Sequence, residues 1–271
     1  MKIVAEIGIN HNGNIELAKK LIDMAKFVKC DMVKFQKRTI NKVYTKEELD
    51  KPRESPWGKT NREQKTGLEL HYADYKQIQY YTTINKIPWF ASPWDIESVD
   101  FISDWAIPYI KVASASITDF ELLDKVRATK IPVIMSTGMS TRKEVWAAVD
   151  FLGSQLEYIL ACTSTYPTLP EEQNLNFIKT LQFEFPKHKI GFSNHSPGII
   201  YCAIAAALGV EMIEYHITLD RSMYGSDQKA SIELAGALSI NKYCKTVPLG
   251  MGDGSWTVYL SEEGVKKKLR R

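Results

Sequence analysis

Several common classes of protein are excluded by what this chain lacks. Its four cysteines (Cys30, Cys162, Cys202, Cys244) lie far apart and form no CxxC pair, so neither a disulfide framework nor a zinc site is indicated. No stretch approaches the ~20 apolar residues of a membrane span. The start, MKIVAEIGINHNG, has one lysine and turns polar by position 10, which is not the build of a secretory leader. No GxGxxG or GxxxxGK(S/T) follows an apolar run, so nucleotide-binding folds lose their main support. A large charge of one sign is also missing. The net charge is +3, and without the five cations of the C-terminal GVKKKLRR (Lys266, Lys267, Lys268, Arg270, Arg271) it becomes −2, so the body is not built for nucleic acid. The basic end reads as a solvated helix terminus, where cations are favoured; polyanion binding is the less favoured alternative. The expectation is a cytoplasmic protein with no nucleic-acid or membrane partner.

What is present is a rhythm. Near-continuous apolar runs at 3–9, 32–36, 88–94, 109–114, 133–138, 158–164, 190–195 and 212–218 alternate with helical patterns. Such runs suit strands covered on both faces. Eight strand–helix units in 271 residues give the size and order of a (β/α)8 TIM barrel, expected here as one α/β domain over 1–271; an open doubly wound sheet is the rival. Asn14 is placed to cap a helix over 15–29. Thr118 with Glu121, and Thr141 with Glu144, have capping-box spacing. Pro197 suits the first turn of a helix over 198–208, and a last helix is expected over 230–247. Residues 40–70 form a long charged stretch after the second run, with Arg53, Trp57, Asn61, Arg62 and Gln64. Loops of that length in compact domains are commonly functional, so a lid over the barrel mouth is expected; a solvated insertion or an oligomer contact is the alternative.

Reactive residues cluster where the runs end: Asn10–His11, Lys34 and Gln36, Ser92, Lys111 and Ser114, Ser136–Thr137, Thr163–Ser164, Ser193–Asn194–His195, and His216 with Thr218. A barrel brings such ends to one mouth. Taken singly, each Ser or Thr reads as a turn residue; as a set they read as a site. Lys34 and Lys111 either snorkel outward or face inward together to neutralise a phosphate or carboxylate, with Ser92, Ser114 and Ser136 nearby. His195 and His216 end consecutive strands. They suit a divalent metal with open positions, or else one acid–base and one structural imidazole. Glu6 either pairs with Lys34 or acts as an acid or base. Glu214 alternates with His216 and reads as inward-facing support for the metal site.

The ordered stretches AEIGINHNG, MVKFQ, FASPW, IKVAS, IMSTGM, ACTSTYPT, IGFSNHS and EYHITLDR with GSD resemble the N-acetylneuraminate (sialic acid) synthase family, in its catalytic barrel. The resemblance implies a transferase of carbohydrate biosynthesis that joins phosphoenolpyruvate to an aldose such as N-acetylmannosamine, releasing phosphate and a 2-keto sugar acid. It further implies a divalent metal, manganese foremost, with magnesium or cobalt as alternatives, and a homodimer. By motif, Lys34, Ser92, Lys111, Ser114, Ser136 and Ser193 would hold phosphoenolpyruvate. His195 and His216 would bind the metal, Glu6 would be the catalytic carboxylate with Lys34, Lys111 and His216 also in catalytic positions, and Tyr166 and Asp227 would contact the sugar. Two departures stand out. Ser116 occupies a position where the family usually has an acidic residue. Relatives also continue into a small antifreeze-like domain, for which the 271 residues leave no room. A synthase with a different aldehyde acceptor, or a degenerate sugar-binding barrel, is the alternative these departures raise.

Overall fold

The computed structural model describes residues 1–270. Its strands, in chain order, are β1 (Lys2–Gly8), β2 (Met32–Lys37), β3 (Pro52–Ser55), β4 (Gly58–Thr60), β5 (Trp89–Pro93), β6 (Ile110–Val112), β7 (Val133–Ser136), β8 (Leu156–Ala161), β9 (Lys189–Asn194) and β10 (Met212–His216). β3 and β4 make an antiparallel hairpin; the other eight close into a barrel in the order β1-β2-β5-β6-β7-β8-β9-β10, with β10 back beside β1. Every barrel pairing is parallel. This is a (β/α)8 TIM barrel, and closure removes the open-sheet rival. Each barrel strand falls on one of the eight apolar runs. The strands are buried along most of their length because helices cover the outside and packed side chains fill the inside.

The helices show where local chemistry decides and where it is overridden. Asn14 Oδ1 accepts from the N–H groups of Glu16 and Leu17 at 2.8 and 3.2 Å and starts the helix Ile15–Phe27. Thr141 and Glu144 form the expected capping box for Arg142–Leu152. Three expectations need correction. The helix Phe120–Ala128 is capped by Asp119, not Thr118: its carboxylate accepts from Leu122 N at 3.0 Å, and an anion there also suits the helix dipole. Pro197 lies before the helix Ile200–Ala207. Asn194 Nδ2 donates to Ser196 O at 2.8 Å, and Gly198 N donates to Ser196 Oγ at 3.1 Å, so that backbone is held as a turn. The last barrel helix is Leu234–Met251; it starts late because Ile232 bridges Ile217 in parallel and donates its N–H to His216 O at 2.8 Å.

Residues 40–70 are not a bare loop. They fold as short helices Ile40–Val43 and Lys46–Leu49, the β3–β4 hairpin and the helix Asn61–Leu68, which Thr60 and Glu63 cap reciprocally. The hairpin turn sets Trp57 edge-on against Tyr224, with ring centroids 5.5 Å apart, so the insertion leans on the segment that carries Asp227. The basic end forms the helix Leu260–Leu269, with Lys266, Lys267 and Lys268 in its last turn; Arg271 lies outside the described residues. All four cysteines are free thiols. Among the described residues, no helix is long and apolar enough to cross a membrane.

Candidate active site

Every expected site residue except Asp227 lines one cavity of about 120 Å³, at the C-terminal ends of the barrel strands, where barrel enzymes place their chemistry. The register puts them there. Glu6 on β1 is level with Lys34 on β2 and with His216 on β10. Glu214, two residues before His216, shares its inward face and is level with Ser193 on β9. Gln36, two residues after Lys34, is level with Ser92 on β5.

The lysines do not snorkel; Lys34 and Lys111 are 5% and 2% exposed. Both converge on Glu214. Lys111 Nζ lies 3.0 and 3.2 Å from its two carboxylate oxygens, and Lys34 Nζ lies 3.0 Å from Oε1. Ser193 Oγ donates to the same oxygen at 3.1 Å. Lys34 also faces Glu6 Oε2 at 3.4 Å, and Gln36 Nε2 donates to Glu6 Oε1 at 2.8 Å. The two carboxylates therefore differ. Burial pushes both up, but at Glu214 the two ammoniums overcome it and hold the carboxyl well below the usual range. At Glu6 burial prevails over Lys34, with repulsion from Glu214 added, and the pKa rises to about 7. Glu214 is thus a fixed anion, while Glu6 can exchange a proton near neutrality. Burial also lowers Lys111, although Glu214 opposes this.

Opposite the lysines stand the two imidazoles, with centroids 5.4 Å apart and planes at 75°. Thr163 O lies 2.6 Å from His195 Nδ1; a carbonyl only accepts, so that nitrogen carries the proton. His195 Nε2 is left as an acceptor for the Tyr166 hydroxyl, 3.1 Å away, while Ser193 Oγ at 3.3 Å gives its proton to Glu214. Tyr166 also stacks on His195 at 4.3 Å. His216 Nδ1 is buried without a hydrogen bond, and Asp227 Oδ2 approaches it only to 3.7 Å. Burial drives both imidazoles down to about 3; His216 adds to this at His195, and Lys34 at His216. Both are neutral near pH 7, the form that binds metals. The hydroxyls of Ser92 and Ser136 are likewise buried on the cavity wall without a partner.

Other strand-end residues turn out to hold loops instead. Asn10 Nδ2 donates to Ile217 O and Ser231 Oγ at 2.9 and 2.8 Å, His11 accepts from Gly13 N at 3.0 Å, and Thr137 donates to Leu160 O at 3.1 Å. Ser116 is buried in a short 3-10 turn and does not line the cavity. Sequence reasoning placed Glu214 only in support, whereas it is the charge both lysines share; its alternation with His216 was the available signal. It missed Gln36 as the partner of Glu6, and two glycines. Gly8 has φ +53, and a Cβ there would lie 3.0 Å from Glu6 Oε1 and 3.2 Å from Gln36 Nε2. A Cβ at Gly138 would lie 2.2 Å from Ser164 Oγ and 2.9 Å from Ser114 Oγ.

Comparison with known proteins agrees with the barrel fold. The chain is 36% identical over 272 residues to the N-acetylneuraminate-9-phosphate synthase of Mus musculus, covering 98% of this chain and 76% of the relative. It is 31% identical over 280 residues to the N,N'-diacetyllegionaminic acid synthase of Legionella pneumophila, covering 99% and 78%. Among solved structures, the sialic acid synthetase of Leptospira borgpetersenii in complex with citrate superposes with a TM-score of 0.85 at 26% identity, covering 99% of this chain and 92% of that one. A truncated 3-deoxy-D-arabino-heptulosonate 7-phosphate synthase of Thermotoga maritima, at 13% identity and TM-score 0.68, shares the fold. The family model described as "NeuB family" matches residues 21–255, and the chain belongs to the NeuB family.

Proposed function

We propose that this enzyme condenses phosphoenolpyruvate with the open-chain aldehyde of an aldose, N-acetylmannosamine or a related sugar, to give a sialic-acid-like 2-keto sugar acid and phosphate. One observation carries the reading: two buried lysines and two unpartnered buried serine hydroxyls share a small cavity with two neutral imidazoles. A buried polar group without a partner costs about 1–3 kcal/mol, so Ser92 and Ser136 fit an oxyanion that accepts from both. The synthase names of the relatives, for N-acetylneuraminate 9-phosphate, diacetyllegionaminic acid and pseudaminic acid, agree with a sugar-acid product.

In this reading Lys34, Lys111, Ser92, Ser114, Ser136 and Ser193 hold the phosphate and carboxylate of phosphoenolpyruvate, and Glu214 keeps the two ammoniums charged and fixed. Carbon 3 of phosphoenolpyruvate attacks the aldehyde carbon, using the enol π pair. Glu6, poised near neutrality, takes a proton from the water that adds to carbon 2, and that proton neutralises the alkoxide formed from the aldehyde oxygen; the C–O bond from carbon 2 to phosphate then breaks, the phosphate leaves with the proton of the carbon-2 hydroxyl, and the ketone forms. Tyr166 and Asp227 orient the sugar. The orphaned His216 Nδ1 and the inward His195 Nε2 fit a divalent ion, manganese foremost. Among the described residues no third His, Cys, Asp or Glu joins them, which leaves positions for substrate and water. When bound, such an ion polarises the aldehyde oxygen.

The test is phosphate release from phosphoenolpyruvate with manganese across a panel of aldoses. Release that depends on the aldose is expected. Release that is equal without any sugar, or absent with all of them, overturns the reading.

A further inference from the structure

Behind the segment that carries Tyr166 lies a second cavity, of about 440 Å³. Its walls come from the turn after β7, the end of β8, residues 173–175, the start of the helix Phe177–Glu184, and Phe192 of β9. That volume falls within the about 300–1,000 Å³ of small-molecule sites. Leu175, Phe177, Ile178 and Phe192 give it an apolar side. Among the described residues no Lys, Arg, His, Asp or Glu lines it. A charged occupant would lose its hydration and find no counter-charge, so the cavity suits an uncharged one.

The polar groups on its wall are nearly all committed within the chain. Thr137 Oγ1 donates to Leu160 O at 3.1 Å, Ser140 Oγ to Gly138 O at 3.0 Å, Thr141 Oγ1 to Glu144 Oε2 at 2.7 Å, and Thr163 Oγ1 to Glu172 O at 2.7 Å. Gln173 is the exception. It is 8% exposed, and its Nε2 is buried without a hydrogen-bond partner. A buried donor left unmade is costly, and a ligand acceptor would remove that cost. A carboxamide carries a donor and an acceptor side by side, so its full complement is another primary amide, paired edge to edge. The wall between the two cavities is firmly tied. The carbonyl of Thr163 accepts from His195 Nδ1 at 2.6 Å, and Thr168 N donates to His195 O at 2.9 Å. An occupant of the second cavity therefore sits behind the catalytic one without entering it.

We propose that this cavity is a second ligand site, which takes a small uncharged molecule joining a primary carboxamide to an apolar body, with Gln173 pairing the amide. The site stands independently of the condensation reading above.

The probe is 3-phenylpropanamide, titrated into the full chain labelled at its isoleucine and leucine methyl groups and followed by NMR. Saturable shifts at Ile178 and Leu175, with a millimolar or tighter Kd, are expected. The anion 3-phenylpropanoate and the cation 3-phenylpropylammonium share the body of the probe but carry a charge, and each should bind at least about tenfold more weakly. Gln173→Leu removes an amide whose Nε2 bonds to nothing, so the fold should survive while the affinity for the probe falls about three- to tenfold. Gln173→Met repeats the measurement should that variant not fold. No saturable shift at Ile178 with millimolar probe, shifts confined to methyl groups away from this cavity, equal binding of the three compounds, or an affinity that the loss of Gln173 leaves unchanged would each overturn the proposal.

Discussion

At the scale of single residues, the site is governed by one shared carboxylate and one that titrates. Lys111 touches both oxygens of Glu214, so it has a hydrogen left for an anion but no room to leave. A charge-assisted hydrogen bond contributes about 1.5–3 kcal/mol, and Lys111→Met should therefore weaken phosphoenolpyruvate about 10- to 100-fold. Ser136→Ala, which removes a neutral donor, should weaken it by less; calorimetric titration gives both values, and the reverse order would count against the anion site. Glu6 makes a pH prediction. Its folded pKa, about 7, lies above the ordinary 4.5, so the folded state favours the protonated form. The contribution to stability is present below pH 4.5 and is lost as the pH rises through 7. In metal-free protein Glu6→Gln should flatten that fall, by a few kcal/mol in order of magnitude, in urea unfolding followed between pH 5 and 8. A wild-type profile already flat over that window would contradict the environment described for Glu6.

At the scale of elements, caps and the inserted hairpin carry separable burdens. Thr141 supplies both halves of a capping box with Glu144, and Asp119 caps its helix alone. Thr141→Ala and Asp119→Ala should each cost about 1 kcal/mol in urea unfolding, while Thr118→Ala, at a position that caps nothing, should stay within about 0.5 kcal/mol. The hairpin contributes no residue to the cavity wall, but Trp57 braces Tyr224 in the segment carrying Asp227. We expect Trp57→Ala to raise the KM of the sugar several-fold and to leave that of phosphoenolpyruvate nearly unmoved. An equal rise in both would mean that the insertion supports the whole mouth and not the acceptor side.

At the scale of the molecule, the barrel is held by its closed ladder and buried strands, and the proposed metal ion would add to a site already formed. His195 is tied to Thr163 and Tyr166 without any ion. Chelation should therefore abolish phosphate release while leaving the far-ultraviolet dichroism unchanged. Manganese at a hundredfold excess over its Kd should stabilise the fold by about 2.7 kcal/mol, seen as a rise in Tm that His195→Ala removes. A chelated protein that loses its helical signal would show that the ion builds the fold.

The barrel was legible because its cause is local: strands covered on both faces must be apolar along their length, and each run recurs at the interval one helix requires. The site was legible in part for the same reason. Lys34, Lys111, Glu6 and the two histidines are polar groups inside runs that otherwise exclude them, and burial demands a purpose for each. Helix starts were read wrongly where a tertiary claim on the backbone came first, as at Ile232, which extends the sheet before the last barrel helix can begin. The pairing of charges was not legible. That Lys34 and Lys111, on β2 and β6, both end on Glu214 of β10 follows only when the barrel closes and brings distant strands to one axis. Sequence determined which residues must be inside and how often the chain must turn; tertiary structure decided which buried charges meet, because electrostatic partnership depends on distance through space and not along the chain.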